Sequence, residues 1–203
     1  MKIICIGRNY TEHIAELNNE KPEEPVIFLK PDTALLQKEQ FFYIPDFTTE
    51  VHYETEIVIK INKTGKHIQE KFAHKYYDEV TVGIDFTARD LQNKLKEKAL
   101  PWEKAKAFDG SAVVGEFINK SFFNSLENIN FELKKNNTTV QQGNTSLMLW
   151  KVDEIIAYVS QYFTLKTGDL IFTGTPKGVS TIQKDDVLEG FLESKKCFEI
   201  QIK

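Results

Sequence analysis

Long apolar runs are missing from this 203-residue chain: no stretch approaches the roughly 18 residues needed to cross a bilayer. Cysteine is nearly absent. Cys5 and Cys197 form no metal or redox motif, and both sit in apolar, strand-like segments that suit buried free thiols. A basic excess is lacking too, since 26 Lys and Arg face 30 Asp and Glu for a formal charge of −4, which argues against a nucleic-acid partner. The one Lys-rich stretch, Lys94 to Lys98, contains Glu97 and reads as a solvated helix face. The opening Met-Lys-Ile-Ile-Cys-Ile run meets Gly7 and Arg8 too early for a signal peptide, so a soluble, cytoplasmic protein is expected. What the chain does have is ordinary globular usage, with 41% hydrophobic and 28% charged residues, enough to bury a real core.

No repeat, low-complexity tract or Pro/Gly/Ser-rich linker divides the sequence, so residues 1–203 are expected to form a single domain. Runs rich in Val, Ile, Phe and Thr predict strands at Lys2–Ile6, Val26–Leu29, Phe41–Ile44, Val51–Ile61, Val80–Ile84 and Ala112–Phe117. Further runs follow at Asn130–Lys134, Thr138–Gln142, Leu170–Thr173, Val187–Leu192 and Cys197–Ile202, with Asn136-Asn137 as a hairpin turn. Three helices interrupt them. The first runs from Tyr10 to Leu17 with Asn9 as cap and Glu12 at capping-box spacing. The second starts after Thr87 and stops before Pro101, and the third, Val152 to Phe163, carries Val152, Ile155, Ile156 and Val159 on one face. Many strands with few helices, not in strict alternation, give an α+β fold around a mixed or antiparallel sheet.

Alternation along Val51–Ile59 puts His52, Glu54 and Glu56 on one strand face and Val51, Tyr53 and Ile57 on the other. Taken alone, this segment reads more readily as a solvent-facing edge strand. The sharper reading sets a divalent cation between the carboxylates, because burying both unpaired costs several kcal/mol. Oxygen donors without thiolate point to a hard ion, Mg²⁺ before Mn²⁺ or Ca²⁺. Asp85 closes an apolar strand and is a third candidate ligand, whereas Asp90 has a sufficient role in the first turn of a helix capped by Thr87. Arg89 and Gln92 share a helix face near it, suited either to a substrate carboxylate or to a surface ion pair.

His13 and Glu16 also stand three apart, as an exposed pair or as a base whose tautomer is fixed by a carboxylate. Lys106, among aromatics, is a cation for an enolate or a surface lysine with a buried stem. The strand Leu170–Thr173 runs into Gly174-Thr175-Pro176-Lys177-Gly178, a turn in which Thr175 offers a hydroxyl; its spacing is not that of a phosphate loop.

Together, Gly7-Arg8-Asn9-Tyr10, His52-Tyr53-Glu54-Thr55-Glu56, Asp85 through Gln92, Lys106-Ala107-Phe108-Asp109 and Thr173 through Val179 resemble the fumarylacetoacetate hydrolase family, above all its short acylpyruvase and oxaloacetate decarboxylase members. The resemblance implies a mixed β-roll, a homodimer, and a Mg²⁺ site at its mouth. It makes Glu54, Glu56 and Asp85 the metal ligands, and His13 and Glu16 the water-activating dyad on a mobile lid, residues 8–25. It makes Arg89, Gln92 and Thr175 substrate-binding residues and Lys106 the enolate-binding catalytic lysine. The implied activity is Mg²⁺-dependent C–C hydrolysis of 3-acylpyruvates, small 2-oxo acids, to pyruvate and a carboxylic acid. Oxaloacetate decarboxylation or 2-oxo-acid tautomerisation at the same site is the nearest alternative, and a non-catalytic metal-stabilised binding protein is an alternative of another class. Ser180, Asp185 and Glu116 depart from the family pattern, which has Gly, Gly and Pro there.

Overall fold

The computed structural model describes residues 1–16 and 20–203. Leu17, the last residue of the first predicted helix, lies outside the described residues, as do residues 17–19 of the predicted lid. In chain order the strands are β1 (Ile3–Gly7), β2 (Val26–Lys30), β3 (Val51–Tyr53), β4 (Thr55–Ile61), β5 (Tyr77–Asp85), β6 (Thr87–Ala88) and β7 (Ala112–Val114). They continue with β8 (Ile118–Asn119), β9 (Asn130–Lys135), β10 (Thr138–Asn144), β11 (Leu170–Phe172), β12 (Ser180–Thr181), β13 (Val187–Leu192) and β14 (Lys195–Gln201). The helices are α1 (Thr11–Glu16), α2 (Glu70–Ala73), α3 (Arg89–Glu97), α4 (Glu103–Lys106) and α5 (Val152–Tyr162).

A seven-stranded sheet runs β2-β1-β11-β4-β5-β7, with β8 also on β5; β1 and β11 are parallel and the other pairs antiparallel. A four-stranded sheet, β10-β9-β13-β14, and a three-stranded one, β12-β3-β6, complete the mixed α+β fold. The apolar face of α5 packs through Val152, Ile155, Ile156 and Val159 onto Ile4, Ile57, Ile59 and Val80 of the large sheet. A second core gathers Val51, Tyr53, Phe86, Leu133, Leu188 and Ile200 between the smaller sheets. Both cysteines are buried free thiols, as expected. Among the described residues no helix is long and apolar enough to cross a membrane.

The hairpin turn forms, with Asn136 and Asn137 both at positive φ (52° and 64°) as its tight backbone demands. Several expectations are corrected. The run Phe41–Ile44 is not a strand, since only Phe42 bridges, to Ile202, before Pro45 removes a donor. The run Val51–Ile61 is two strands broken at Glu54, so Tyr53 and Ile57, predicted on one face, enter different cores. The four-residue helices α2 and α4 are too short for periodicity to reveal. Asn9 caps nothing. Its amide donates to the carbonyls of Thr173 (2.7 Å) and Trp150 (3.1 Å), and its Oδ1 accepts the Trp150 N–H (2.8 Å). Thr87 is no cap either, because its hydroxyl accepts from Lys106 at 2.6 Å. Asp185 takes the left-handed φ of 71° that glycine adopts freely and that aspartate tolerates.

Candidate active site

The break at Glu54 creates the site. Strands β4 and β5 pair in the large sheet up to Thr55 opposite Ile84, and the Asp85 N–H donates to the Glu54 carbonyl at 2.9 Å. Beyond this rung both chains leave the sheet and pair again as β3 and β6 in the small one. Glu54 and Asp85 therefore bend off at the same level, and Glu56 follows on β4 opposite Gly83. Glu54, Glu56 and Asp85 are all buried and offer carboxylate oxygens within 4.8 Å of one another. The edge-strand reading of Glu54 and Glu56 fails, since β4 is an interior strand and the two residues are only 6% and 2% exposed.

Buried cations surround this cluster. The Lys106 ammonium donates to Glu54 Oε2 (2.8 Å), Asp85 Oδ2 (2.7 Å) and Thr87 Oγ1, and lies 5.2 Å from the Phe28 ring centroid, so it is not a surface lysine. Arg89 donates to the other oxygen of Glu54 and, at 2.6 Å, to Gln92 Oε1; its Nε lies 3.3 Å from His52 Nδ1. Lys30, at the end of β2, approaches Asp85 Oδ1 at 2.7 Å. Its protons go instead to the carbonyls of Lys106 and Ser111 and the Ser111 hydroxyl, so Asp85 Oδ1 is charge-paired but accepts no hydrogen bond.

The carboxylates are unequally compensated. Burial works against the ionised form of Glu54, but Lys106 and Arg89 outweigh it and hold its carboxyl well below the usual range. Burial and then the charges of Asp85 and Glu54 push Glu56 well above that range, against the Gly174 N–H that donates to it at 2.7 Å. For Lys106, burial pulls the ammonium down, yet Asp85 and Glu54 carry it above the ordinary lysine value. An under-compensated Glu56 and an all-oxygen donor set fit a hard dication. Gly174 sits at φ 97°, and a Cβ there would lie 2.7 Å from that of Asn9, so this turn is reserved for glycine.

The remaining expected residues gather around the trio. His13 is buried, with Nδ1 3.1 Å from Glu16 Oε2, while Glu16 Oε1 accepts the Gly178 N–H at 2.9 Å. Thr175 accepts from Gln141 Nε2 at 2.7 Å, and its own proton reaches only the Pro176 carbonyl, at 3.5 Å, a long bond that a ligand oxygen can replace. His13, Arg89, Gln92, Lys106 and Thr175 line one cleft with the three carboxylates. His52 stands outside that lining, half-buried between Glu50 (2.8 Å) and Arg89; burial and Arg89 lower its pKa. Sequence reasoning missed Lys30, Gln141, and the cleft residues Arg8 and Lys96. For Lys30 the only signal is its place after Phe28 on the same strand face.

A sheet assembly that bends two strands apart around a buried acidic trio, with a histidine–glutamate pair above it, defines a class of metal-dependent enzyme. Residues 2–202 match the fumarylacetoacetate (FAA) hydrolase C-terminal family, and the chain belongs to it as an enzyme. This closes the non-catalytic alternative. The Escherichia coli (strain K12) protein named oxaloacetate tautomerase YcgM is 42% identical over 188 residues, 92% of this chain and 86% of that protein. The mitochondrial oxaloacetate decarboxylase of Dictyostelium discoideum is 39% identical over 189 residues, 93% of this chain and 87% of that protein. The crystal structure of fumarylpyruvate hydrolase from Pseudomonas aeruginosa in complex with Mn²⁺ and pyruvate superposes with a TM-score of 0.93 at 31% identity, covering 100% of this chain and 89% of that chain.

Proposed function

We propose that the enzyme acts on small 2-oxo acids that pass through an enol, with oxaloacetate keto–enol tautomerisation as its reaction. The observation that carries this reading is the buried Glu54–Glu56–Asp85 trio beside a histidine whose Nδ1 faces a carboxylate. Mg²⁺, with Mn²⁺ or Ca²⁺ as substitutes, is the cation this donor set suits; when bound it supplies a Lewis acid for charge on the substrate's 2-oxo oxygen.

The chain's own residues do the rest. Glu16 holds the His13 Nδ1 proton, which leaves the Nε2 lone pair as base. His13 takes a proton from the carbon next to the ketone and returns it to the 2-oxo oxygen, completing the shift from keto to enol. Lys106 offsets the negative charge that builds up in between. The free Gln92 amide protons and the Thr175 hydroxyl hold the substrate carboxylate. Arg89, committed to Glu54 and Gln92, fixes that amide's orientation. The segment 8–25 acts as the lid, docked through the Glu16–Gly178 hydrogen bond. Residues 1–203 form one catalytic domain, and the resemblance supports a homodimer.

The similarity to fumarylpyruvate hydrolase favours a second reading, hydrolysis of 3-acylpyruvates, in which His13 deprotonates water and the water attacks the distal carbonyl. Assays of oxaloacetate enol–keto interconversion, oxaloacetate decarboxylation and acetylpyruvate cleavage, each with Mg²⁺ and with EDTA, separate the readings. Tautomerisation predicts fast, Mg²⁺-dependent interconversion that falls about 10²–10⁴-fold in His13→Ala while calorimetric Mg²⁺ affinity stays intact. Interconversion indifferent to Mg²⁺ and to His13 refutes the proposal.

A further inference from the structure

Each cation packed against the acidic trio has an anionic partner: Lys30, behind the cleft wall, pairs with Asp85, Lys106 with Glu54 and Asp85, and Arg89 with Glu54. Two others do not. Arg8 and Lys96 line the same cleft, yet among the described residues neither forms an ion pair or a side-chain hydrogen bond.

Both are held in position by the fold. Arg89, Gln92 and Lys96 recur on α3 at spacings that share one helix face, so Lys96 extends the row of cleft-facing residues outward by a turn. Its ammonium lies 5.6 Å from the Trp102 ring centroid, over another residue of the cleft wall. Arg8 stands on the left-handed side of the backbone map at φ 59°, a conformation unfavourable for a non-glycine residue. The next residue, Asn9, is bolted to the Thr173 and Trp150 backbones, and this fixes the corner that carries Arg8. Two half-buried like charges sharing a cleft repel each other unless an anion lies between them.

We propose that Arg8 and Lys96 form a two-cation clasp for the far carboxylate of a dicarboxylic 2-oxo acid, making them the residues that select dicarboxylates over monocarboxylic acylpyruvates. This rests on the reading that the acidic trio and its dication hold the 2-oxo-acid end. The charges agree. The three carboxylates Glu54, Glu56 and Asp85 and the three cations Lys30, Lys106 and Arg89 cancel in total, although none of the cations pairs with Glu56, so a dication and the clasp leave a positive surplus for a dianionic substrate.

The test is calorimetric and needs no turnover. Mg²⁺-loaded wild type, Lys96→Met, Arg8→Gln and Lys96→Arg are titrated with oxalate, a dianion that reaches only the metal end, and with 3,3-difluorooxaloacetate, which cannot enolise and carries a far carboxylate. Comparing two dianions removes the long-range effect of deleting a charge. The expected result is that the affinity ratio of difluorooxaloacetate to oxalate falls at least tenfold in Lys96→Met and in Arg8→Gln, and recovers in Lys96→Arg. Equal losses for both ligands, or no loss in either variant, overturn the clasp. Failure of wild type to bind oxalate in the presence of Mg²⁺ overturns the reading of the metal end, and the clasp with it.

Discussion

Glu56→Gln tests the electrostatics of the acidic trio most directly, because it should strengthen the metal-free protein while abolishing its response to metal. The substitution keeps the shape and an oxygen to accept the Gly174 N–H. It removes one charge from three whose oxygens lie within 4.8 Å, where a like-charged pair at an effective dielectric of about 20 costs about 3.5 kcal/mol. Lys106 cancels part of this repulsion, so the net relief at neutral pH is on the order of 2 kcal/mol. For a chain of this length that raises Tm by about 4–8 °C. The pH dependence has a definite sign. A carboxyl whose folded pKa lies above its unfolded one contributes stability fully below the unfolded value, near 4.3, and loses it as pH rises through the folded value. The advantage of the variant over wild type should therefore be large at pH 7.5 and vanish near pH 4.5. Thermal unfolding followed by circular dichroism in EDTA at both pH values measures it. With Mg²⁺ at a hundred times its Kd, wild type should gain about 2.7 kcal/mol and the variant nothing. A variant that melts below wild type in EDTA at pH 7.5, or that Mg²⁺ still stabilises, would refute the reasoning.

Two further outcomes are expected. Lys30→Met should lower unfolding free energy by about 3–5 kcal/mol in urea titrations, since it leaves Asp85 buried with one cation fewer and strips a donor from the Lys106 and Ser111 carbonyls; a loss below 1 kcal/mol contradicts the pairing. Burial first, then Arg89 and Arg8, lower the Lys96 pKa to about 8, with Lys106 adding to the effect and Glu54 opposing it. A bound carboxylate favours the ammonium, so difluorooxaloacetate affinity should hold below pH 8 and decline as pH rises above it. Calorimetry at pH 7 to 9.5 reads this decline, and a profile identical in Lys96→Met removes Lys96 as its source.

Much of the architecture was legible because single segments carry it. The apolar stripe of α5, the Asn136-Asn137 turn and the uninterrupted run Val187–Leu192 need no distant information. Motif order carried the trio and the His13–Glu16 pair, where spacing alone left a solvent-facing strand as the plainer choice. What escaped depends on contacts between distant segments. Nothing near Lys30 announces a partner 55 positions on, and Asn9 and Thr87 resemble caps until Trp150, Thr173 and Lys106 claim their side chains. The interruption at Glu54 was invisible because its neighbours on both sides favour strand, and only the transfer of pairing partners reveals it.

That shared bend of β3–β4 and β5–β6 gives the acidic trio a mechanical meaning. Glu54 and Asp85 mark the seam where one pair of strands passes from the large sheet to the small one, and Glu56 lies wholly on the large-sheet side. Shear between the sheets must change how far Glu56 stands from its two companions. A dication held by all three would work as a rivet through the seam, so its arrival should slow amide exchange along both sheets, well away from the cleft itself.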